Sequence, residues 1–266
     1  MKIKQFVVDA FTDRLFAGNP AAVCVLEAPL SDARMQAVAI ENNLSETAFL
    51  EKRADGKFGL RWFTPGGKID LCGHATLGTA FVCTHYVVPD ADRVAFETRS
   101  GELVVTRVGA SRYSMDFPAS RLEKIEVTDA MTEAFGAKPK EAYLARDLLC
   151  VFEDDEAVRR MTPDQALLAK LPGLLQHATA ASADPQFDCV SRSFAPKLAV
   201  AEDPVCGSGH CHIVPYWAAR LGKASITAFQ ASKRTGVLYC RLAGERIEMA
   251  GDAVLYSEAV IDSGEE

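Results

Sequence analysis

The sequence predicts an α+β fold of two similar halves, each a sheet curled around its own central helix. Three observations lead there. Short strand-like runs are spread along the whole chain. Each half holds one helix that is apolar almost all round, the pattern of a buried element. Both helices open on a Cys-Gly pair: Asp70-Leu71-Cys72-Gly73-His74-Ala75-Thr76 and Asp203-Pro204-Val205-Cys206-Gly207-Ser208-Gly209-His210. The two cysteines stand 134 residues apart in a chain of 266, so the spacing suggests a duplicated architecture. Two such helix N-termini across a shared cleft would offer backbone N–H groups to a small carboxylate.

Strands are expected over residues 3–10 and 21–26, separated by a turn at Phe16-Ala17-Gly18-Asn19-Pro20. Ser31 and Asp32 can cap a helix running to Asn42, with Met35, Val38 and Ala39 turned inward. Strands follow at 46–51 and 59–63, then the loop Thr64-Pro65-Gly66-Gly67 and the first central helix after Gly73. Residues 94–98, 103–108 and 112–117 read as strands, and 118–127 as a linker. In the second half, helices are expected at 129–135 and 163–171, the latter started by Thr162-Pro163. Strands at 142–145, 149–152, 179–183 and 188–194 lead to the second central helix, 207–221. The tail reads as four strands: 226–231, 237–242, 246–250 and 253–261.

Composition narrows the function classes. The chain is 48% apolar with a net charge of −7 and no basic run, which argues against nucleic acid or an anionic membrane as partner. No apolar run approaches a membrane span. The N-terminus begins as a strand without a signal-peptide pattern. The 8 cysteines are irregularly spaced and lie mostly in apolar segments, which suits free thiols in a cytoplasmic protein.

Among residues that could carry chemistry, Glu46 stands out. Strand alternation puts it on one face with Leu44, Ala48 and Leu50, where desolvation would raise its pKa toward the range of a general acid or base. An edge-strand Glu reaching solvent, or one paired with an Arg, is the plainer reading. His74, in the first turn of the first central helix, could bond a substrate or pass a proton, or simply cap the helix. Asp203 could orient a substrate or a histidine, although Asp-Pro also opens ordinary turns. Ser208 and Gly209 sit where the amides of a helix start are free to hold a carboxylate.

The run Cys206-Gly207-Ser208-Gly209-His210-Cys211-His212 raises zinc. No second knuckle accompanies it, and a helix would point His210 and His212 to different faces, so a zinc site is not expected. A sharper rival uses the thiols themselves. A cysteine at a helix N-terminus has a lowered pKa, and Cys72 and Cys206 could run a two-base racemase.

Five segments together resemble the phenazine-biosynthesis PhzF family of isomerases, within the diaminopimelate-epimerase-like fold. They are Gly18-Asn19-Pro20-Ala21-Ala22-Val23, Asn43-Leu44-Ser45-Glu46-Thr47-Ala48-Phe49, Phe63-Thr64-Pro65, and the two Cys-Gly segments, the second from Glu202. The resemblance implies two barrel-like domains, expected at 1–118 and 119–266 with the last strand able to pack on the first domain. It also implies a site between them, a homodimer, and catalysis without metal or organic cofactor. Glu46 would be the proton shuttle, with His74 and Asp203 beside it. Asn19, Cys72, Gly73, Cys206, Gly207, Ser208 and Gly209 would bind the substrate. Cys206 departs from the family, which most often has Thr there. Racemases and epimerases of this fold keep a cysteine at both helix starts, but follow the first Cys-Gly with Asn where this chain has His74. A proton-shuttling isomerase, a two-cysteine racemase or epimerase, and a non-catalytic metabolite-binding protein are the three readings.

Overall fold

The first strand, β1 (Lys2–Ala10), pairs antiparallel with β2 (Asn19–Leu26). The turn between them needs Gly18, whose φ is +66° and whose Cβ would stand 2.2 Å from the Ala10 carbonyl oxygen. The structure, a computed structural model, describes residues 1–53, 55–70 and 72–264; Leu71 of the first Cys-Gly segment lies outside them. Helix α1 (Asp32–Asn42) starts where expected, its Ser31 hydroxyl accepting from the Arg34 N–H at 3.4 Å. It crosses over to β3 (Glu46–Lys52), which lies parallel to β2. A parallel pair needs such a crossover, and it covers one face of both strands. Thus Cys24, Leu26 and Phe49 pack against Met35, Val38 and Ala39 of α1.

β4 (Phe58–Thr64) pairs antiparallel with β3, and the short β5 (Gly67–Ile69) pairs with β4. Then comes α2 (Gly73–Val82), in which every residue from His74 to Val82 is buried. It packs against β1, β2 and β3, and continues into a π-helical turn, Cys83–Val87. β6 (Arg93–Thr98) joins β4 in parallel, followed by β7 (Gly101–Arg107) and β8 (Arg112–Pro118), each antiparallel to its predecessor.

The stretch expected to be a linker contains a short strand, β9 (Glu123–Ile125), paired with β10 (Glu141–Leu144). Helix α3 (Asp129–Phe135) precedes β10, and β11 (Leu148–Val151) follows it. A helix absent from the sequence reading, α4 (Asp155–Arg160), is capped by Asp154, which accepts from Ala157 N–H at 2.8 Å. The helix expected at 163–171 shrinks to α5 (Gln165–Leu168). Asp164, not Thr162, caps it by accepting from the Ala166 and Leu167 N–H groups, and Pro172 with Gly173 at φ +78° bars its extension.

β12 (Gln176–Ala181) lies parallel to β11 and antiparallel to β13 (Cys189–Ala195). After β14 (Val200–Asp203) runs α6 (Gly207–Leu221), the second central helix, with the bounds expected. It packs against β13, β15 (Ser225–Gln230) and β16 (Gly236–Ala243). A separate core forms where Met131 and Phe135 of α3, Val158 of α4 and Leu168 of α5 meet Phe152, Val190 and Phe194.

The two strands expected near the C-terminus are one, β17 (Arg246–Asp262). Gly251, in the gap expected between them, is a point of close approach: a Cβ there would stand 2.3 Å from the Phe11 ring. β17 pairs with β1 and with β8, so the order β17-β1-β2-β3-β4-β6-β7-β8 returns to its first strand. That sheet is a closed ring around α2. The chain divides into one unit of Met1–Met115 with Ala250–Glu266 and another of Asp116–Met249. The break falls inside β8, ahead of the expected 118/119 boundary, and the greater part of β17 belongs with the first unit.

Candidate active site

Glu46 opens β3 directly beside Ala21 of β2. Ala21 faces α2, its Cβ 4.0 Å from where one on Gly78 would be. Parallel partners point the same way, so Glu46 faces α2 as well, together with Ala48 and Leu50. His74 meets it there: Nε2 lies 2.9 Å from Oε2 of Glu46, with side chains 7% and 16% exposed. The approach is close but poorly aligned, and neither atom has a hydrogen-bond partner by direction. On the other side of the ring, Nδ1 is 3.6 Å from Sγ of Cys72. An imidazole thus stands between a thiol and a carboxylate at the start of a buried helix.

This setting decides the charges. Burial works against protonating His74, but the acidic groups on either side, Cys72 and Glu46, outweigh it and raise its pKa well above the ordinary value. Burial, with the nearby Glu46, pushes the Cys72 thiol up. The thiol also makes no capping hydrogen bond to α2, leaving the helix's first amides without a side-chain cap. Asn19 is buried at the head of β2, opposite Ala10.

The second helix start is built differently. Cys206 is 2% exposed, and its sulfur caps α6 by accepting from the Gly209 N–H at 3.3 Å. Burial first, then Asp203, pushes this thiol well above its ordinary range. Both cysteines therefore shift opposite to the lowering expected of a thiol at a helix N-terminus. Gln230, missed in the sequence, clamps the loop before α6: its amide donates to the Asp203 carbonyl at 2.6 Å and accepts from the Cys206 N–H at 2.9 Å. Ser208 is half-buried, with its hydroxyl 3.5 Å from the Cys206 sulfur. At Gly207 a Cβ would be in ordinary contact, 3.6 Å from Met249 Sδ, whereas at Gly209 it would collide with His177 Cε1 at 2.7 Å.

That collision marks a network that sequence reasoning overlooked. Asp147, wholly buried, sits in the turn between β10 and β11 and takes the His177 Nε2 at 3.2 Å. His177 Nδ1 contacts the Ser193 hydroxyl at 3.0 Å. His212 holds the first turn of α6 through Nδ1 to the Ser208 carbonyl at 3.2 Å, while its Nε2 accepts from the Asp147 N–H at 3.3 Å. Burial opposes the charge on Asp147, but hydrogen bonds from His177 and Arg146 hold it well below the usual carboxylate range. Burial lowers His210 and His212 to about 4. The available sequence signal was a histidine within the apolar strand Gln176-His177-Ala178-Thr179-Ala180-Ala181.

Two clusters bring three ligand-type atoms within 4.8 Å: Glu46, Cys72, His74 and Asp147, His177, His212. Among the described residues no such cluster contains Cys206, His210 or Cys211. The first half thus brings Glu46, Cys72 and His74 together, and the second gathers Asp203, Cys206 and Ser208 at the start of α6.

A family model described as phenazine biosynthesis-like protein (PhzC-PhzF) matches residues 8–259. An uncharacterized isomerase of Pseudomonas aeruginosa is 48% identical over 262 residues, covering 98% of this chain and 99% of that one. The crystal structure of a PhzF-family phenazine biosynthesis protein from Enterococcus faecalis matches with a TM-score of 0.94 at 44% identity, covering 98% and 100%. A hydroxyproline epimerase from Agrobacterium vitis matches at 0.61 and 12% identity over 98% and 92%, a likeness of fold alone. Among the described residues no helix is long and apolar enough to cross a membrane.

Proposed function

Because the chain belongs to the phenazine biosynthesis-like (PhzC-PhzF) family, we propose that it is a cofactor-independent isomerase that moves a proton within a small unsaturated carboxylate. The isomerase name of its relatives supports the reaction class. The observation that carries the mechanism is the buried contact between Glu46 and His74, 2.9 Å apart with bonding capacity left on both atoms.

Glu46 acts as the base. It takes a proton from a carbon activated by the substrate's conjugated carboxylate, so the C–H electron pair enters the π system. The same carboxyl group returns the proton to another carbon of that system, and the double bond moves with no net change in composition. His74, with its raised proton affinity, holds Glu46 in place and balances its charge between the two transfers. The uncapped amides at the start of α2 bind the substrate carboxylate, as helix N-termini do. Asn19, Cys72 and Gly73 belong to that binding set, as the family resemblance implies; Asp203, Cys206, Gly207 and Ser208 gather at the start of α6, where the Gly209 N–H is already taken by the Cys206 sulfur. The family resemblance supports a homodimer, which sedimentation equilibrium would test.

The two-thiol racemase is disfavoured, because burial pushes both thiols up and Cys206 already serves as a helix cap. The test is substrate-dependent deuterium uptake in D₂O, followed by NMR over a panel of unsaturated carboxylates and amino acids. Glu46→Gln is expected to lower the exchange rate by about 10²–10⁴-fold, and Cys206→Ser to leave most of it. Full turnover in Glu46→Gln, with loss in Cys72→Ser and Cys206→Ser, would establish the thiol reading instead. No exchange with any compound would favour a binding protein.

A further inference from the structure

Trp62 carries an N–H group that is buried without an acceptor. Its side chain is among the largest in the core, 1% exposed, and Nε1 has no hydrogen-bond partner. The indole nitrogen is a donor only, so nothing but an acceptor can satisfy it. Leaving such a donor unbonded destabilises a fold, and a phenylalanine would fill a core without that cost. The chain's other tryptophan shows the usual solution: Trp217 Nε1 donates to the Thr179 hydroxyl at 2.9 Å.

The place of Trp62 gives the donor a use. Phe63, its neighbour on β4, packs on the α1 side with Phe49 and Met35, so alternation turns Trp62 to the opposite face, toward α2. Trp62 stands opposite Ala48 of β3, and Glu46 lies two residues along β3 on that same face. Residues set diagonally across two strands have α-carbons about 7–8 Å apart, within reach of an indole and a glutamate side chain. Ala48, the neighbour both share on that face, ends at a methyl group. Nε1 of Trp62 thus joins Oε2 of Glu46 and Nε2 of His74, each buried without a directed partner. An indole N–H and a carboxylate oxygen could satisfy one another, and here they do not.

We infer that Trp62 is a substrate-binding residue, whose indole N–H donates to an oxygen of the carboxylate compound held beside Glu46. A neutral donor suits this position. A lysine or arginine there would pair with Glu46 and weaken it as a base, whereas an indole adds a hydrogen bond without adding charge. Such a donor also discriminates, because a ligand that lacks the oxygen leaves it buried and unbonded. Calling the ligand a substrate rests on the isomerase reading; the hydrogen bond does not.

The experiment is a ¹H–¹⁵N correlation spectrum of protein labelled with ¹⁵N-tryptophan, titrated with benzoate and with sorbate, two conjugated carboxylates. The chain has 2 tryptophans, so two indole cross-peaks are expected, and Trp62→Phe assigns them by deleting one. In the free protein the Trp62 proton should resonate upfield of the bonded Trp217 proton. Either carboxylate should move the Trp62 proton downfield and leave Trp217 in place. Trp62→Phe keeps an aromatic ring but loses the donor, and should weaken binding of the carboxylate by about 10–100-fold in calorimetric titration. A thermal melt checks that the variant folds, and the shift in the unmodified protein stands independently of it. A Trp62 proton already downfield of Trp217 in the free protein, or one that moves with neither carboxylate, would overturn the proposal. A Trp62 shift on binding while Glu46→Gln keeps full exchange activity sinks the proton shuttle and leaves the binding donor standing. Loss of exchange in Glu46→Gln with no shift at Trp62 does the opposite.

Discussion

The two Cys-Gly helix starts are alike in sequence and opposite in chemistry. At α2 the cysteine leaves the helix uncapped and faces an imidazole whose other nitrogen meets a carboxylate. At α6 the cysteine caps the helix, and the histidines one turn on are tied to backbone carbonyls and to a buried aspartate. The first start keeps bonding capacity in reserve on Glu46 and His74, which is the condition for acting on a ligand. The second spends its capacity on structure. A helix N-terminus is therefore not a site by virtue of its motif; what the side chains around it have left to bond decides.

This contrast predicts that activity and stability separate between the two starts. Asp147→Ala removes the hub of the second start and leaves buried partners unsatisfied. It should lower unfolding free energy by about 3–5 kcal/mol, read from urea unfolding. Glu46→Gln, by contrast, should shift the urea midpoint by less, because it removes only one of the two groups that raise the His74 proton affinity, while slowing exchange as stated above. A stable Asp147→Ala protein would break the comparison.

Gly209→Ala should destabilise by about 1–3 kcal/mol, because the new methyl overlaps the His177 ring. Gly207→Ala, with room for a Cβ, should stay much nearer the parent in the same urea titration.

The pH dependence comes next. His210 and His212 have folded pKa values near 4 and an unfolded value near 6.5. Between those limits the unfolded chain binds more protons, so stability falls as pH drops from about 6.5 toward 4. The slope is up to about 1.4 kcal/mol per pH unit for each histidine. Urea midpoints across that range should fall, and His212→Gln should flatten the fall. His74 runs the other way, with a folded pKa above the unfolded one. Its contribution is complete below about 6.5 and fades as pH rises through its higher folded value.

The smallest effect concerns the caps. Cys206→Ala deletes a capping acceptor and should cost about 0.5–1 kcal/mol, whereas Cys72→Ala, which removes no cap, should cost less. Equal costs would mean that the two thiols do the same work after all.

Much of this was legible beforehand. Alternation in Glu46-Thr47-Ala48-Phe49-Leu50 put Glu46 on the face with Ala48 and Leu50, because the strand period is local. Both central helices were visible, since helices apolar on all sides have few other places to go. What misled was local chemistry with rival solutions. Asp164 outcompeted Thr162 as a cap, and the break expected between 250 and 253 is a close approach of Phe11 to Gly251 inside one strand. The lowered thiol pKa expected at both helix starts failed because burial outweighs the helix dipole there. The network of Asp147, His177 and His212 was invisible, its members lying far apart in the chain with ordinary neighbours.

By itself, then, the sequence determined most of the strands, the two buried helices and the family, which follow from short-range periodicity and contiguous motifs, while the short β5, β9 and β14 escaped it. Only the tertiary structure decided which helix start keeps free bonding capacity. That depends on whether buried donors and acceptors from remote segments find one another, and His177 and Asp147 reach α6 while the Glu46–His74 pair is left with capacity to spare.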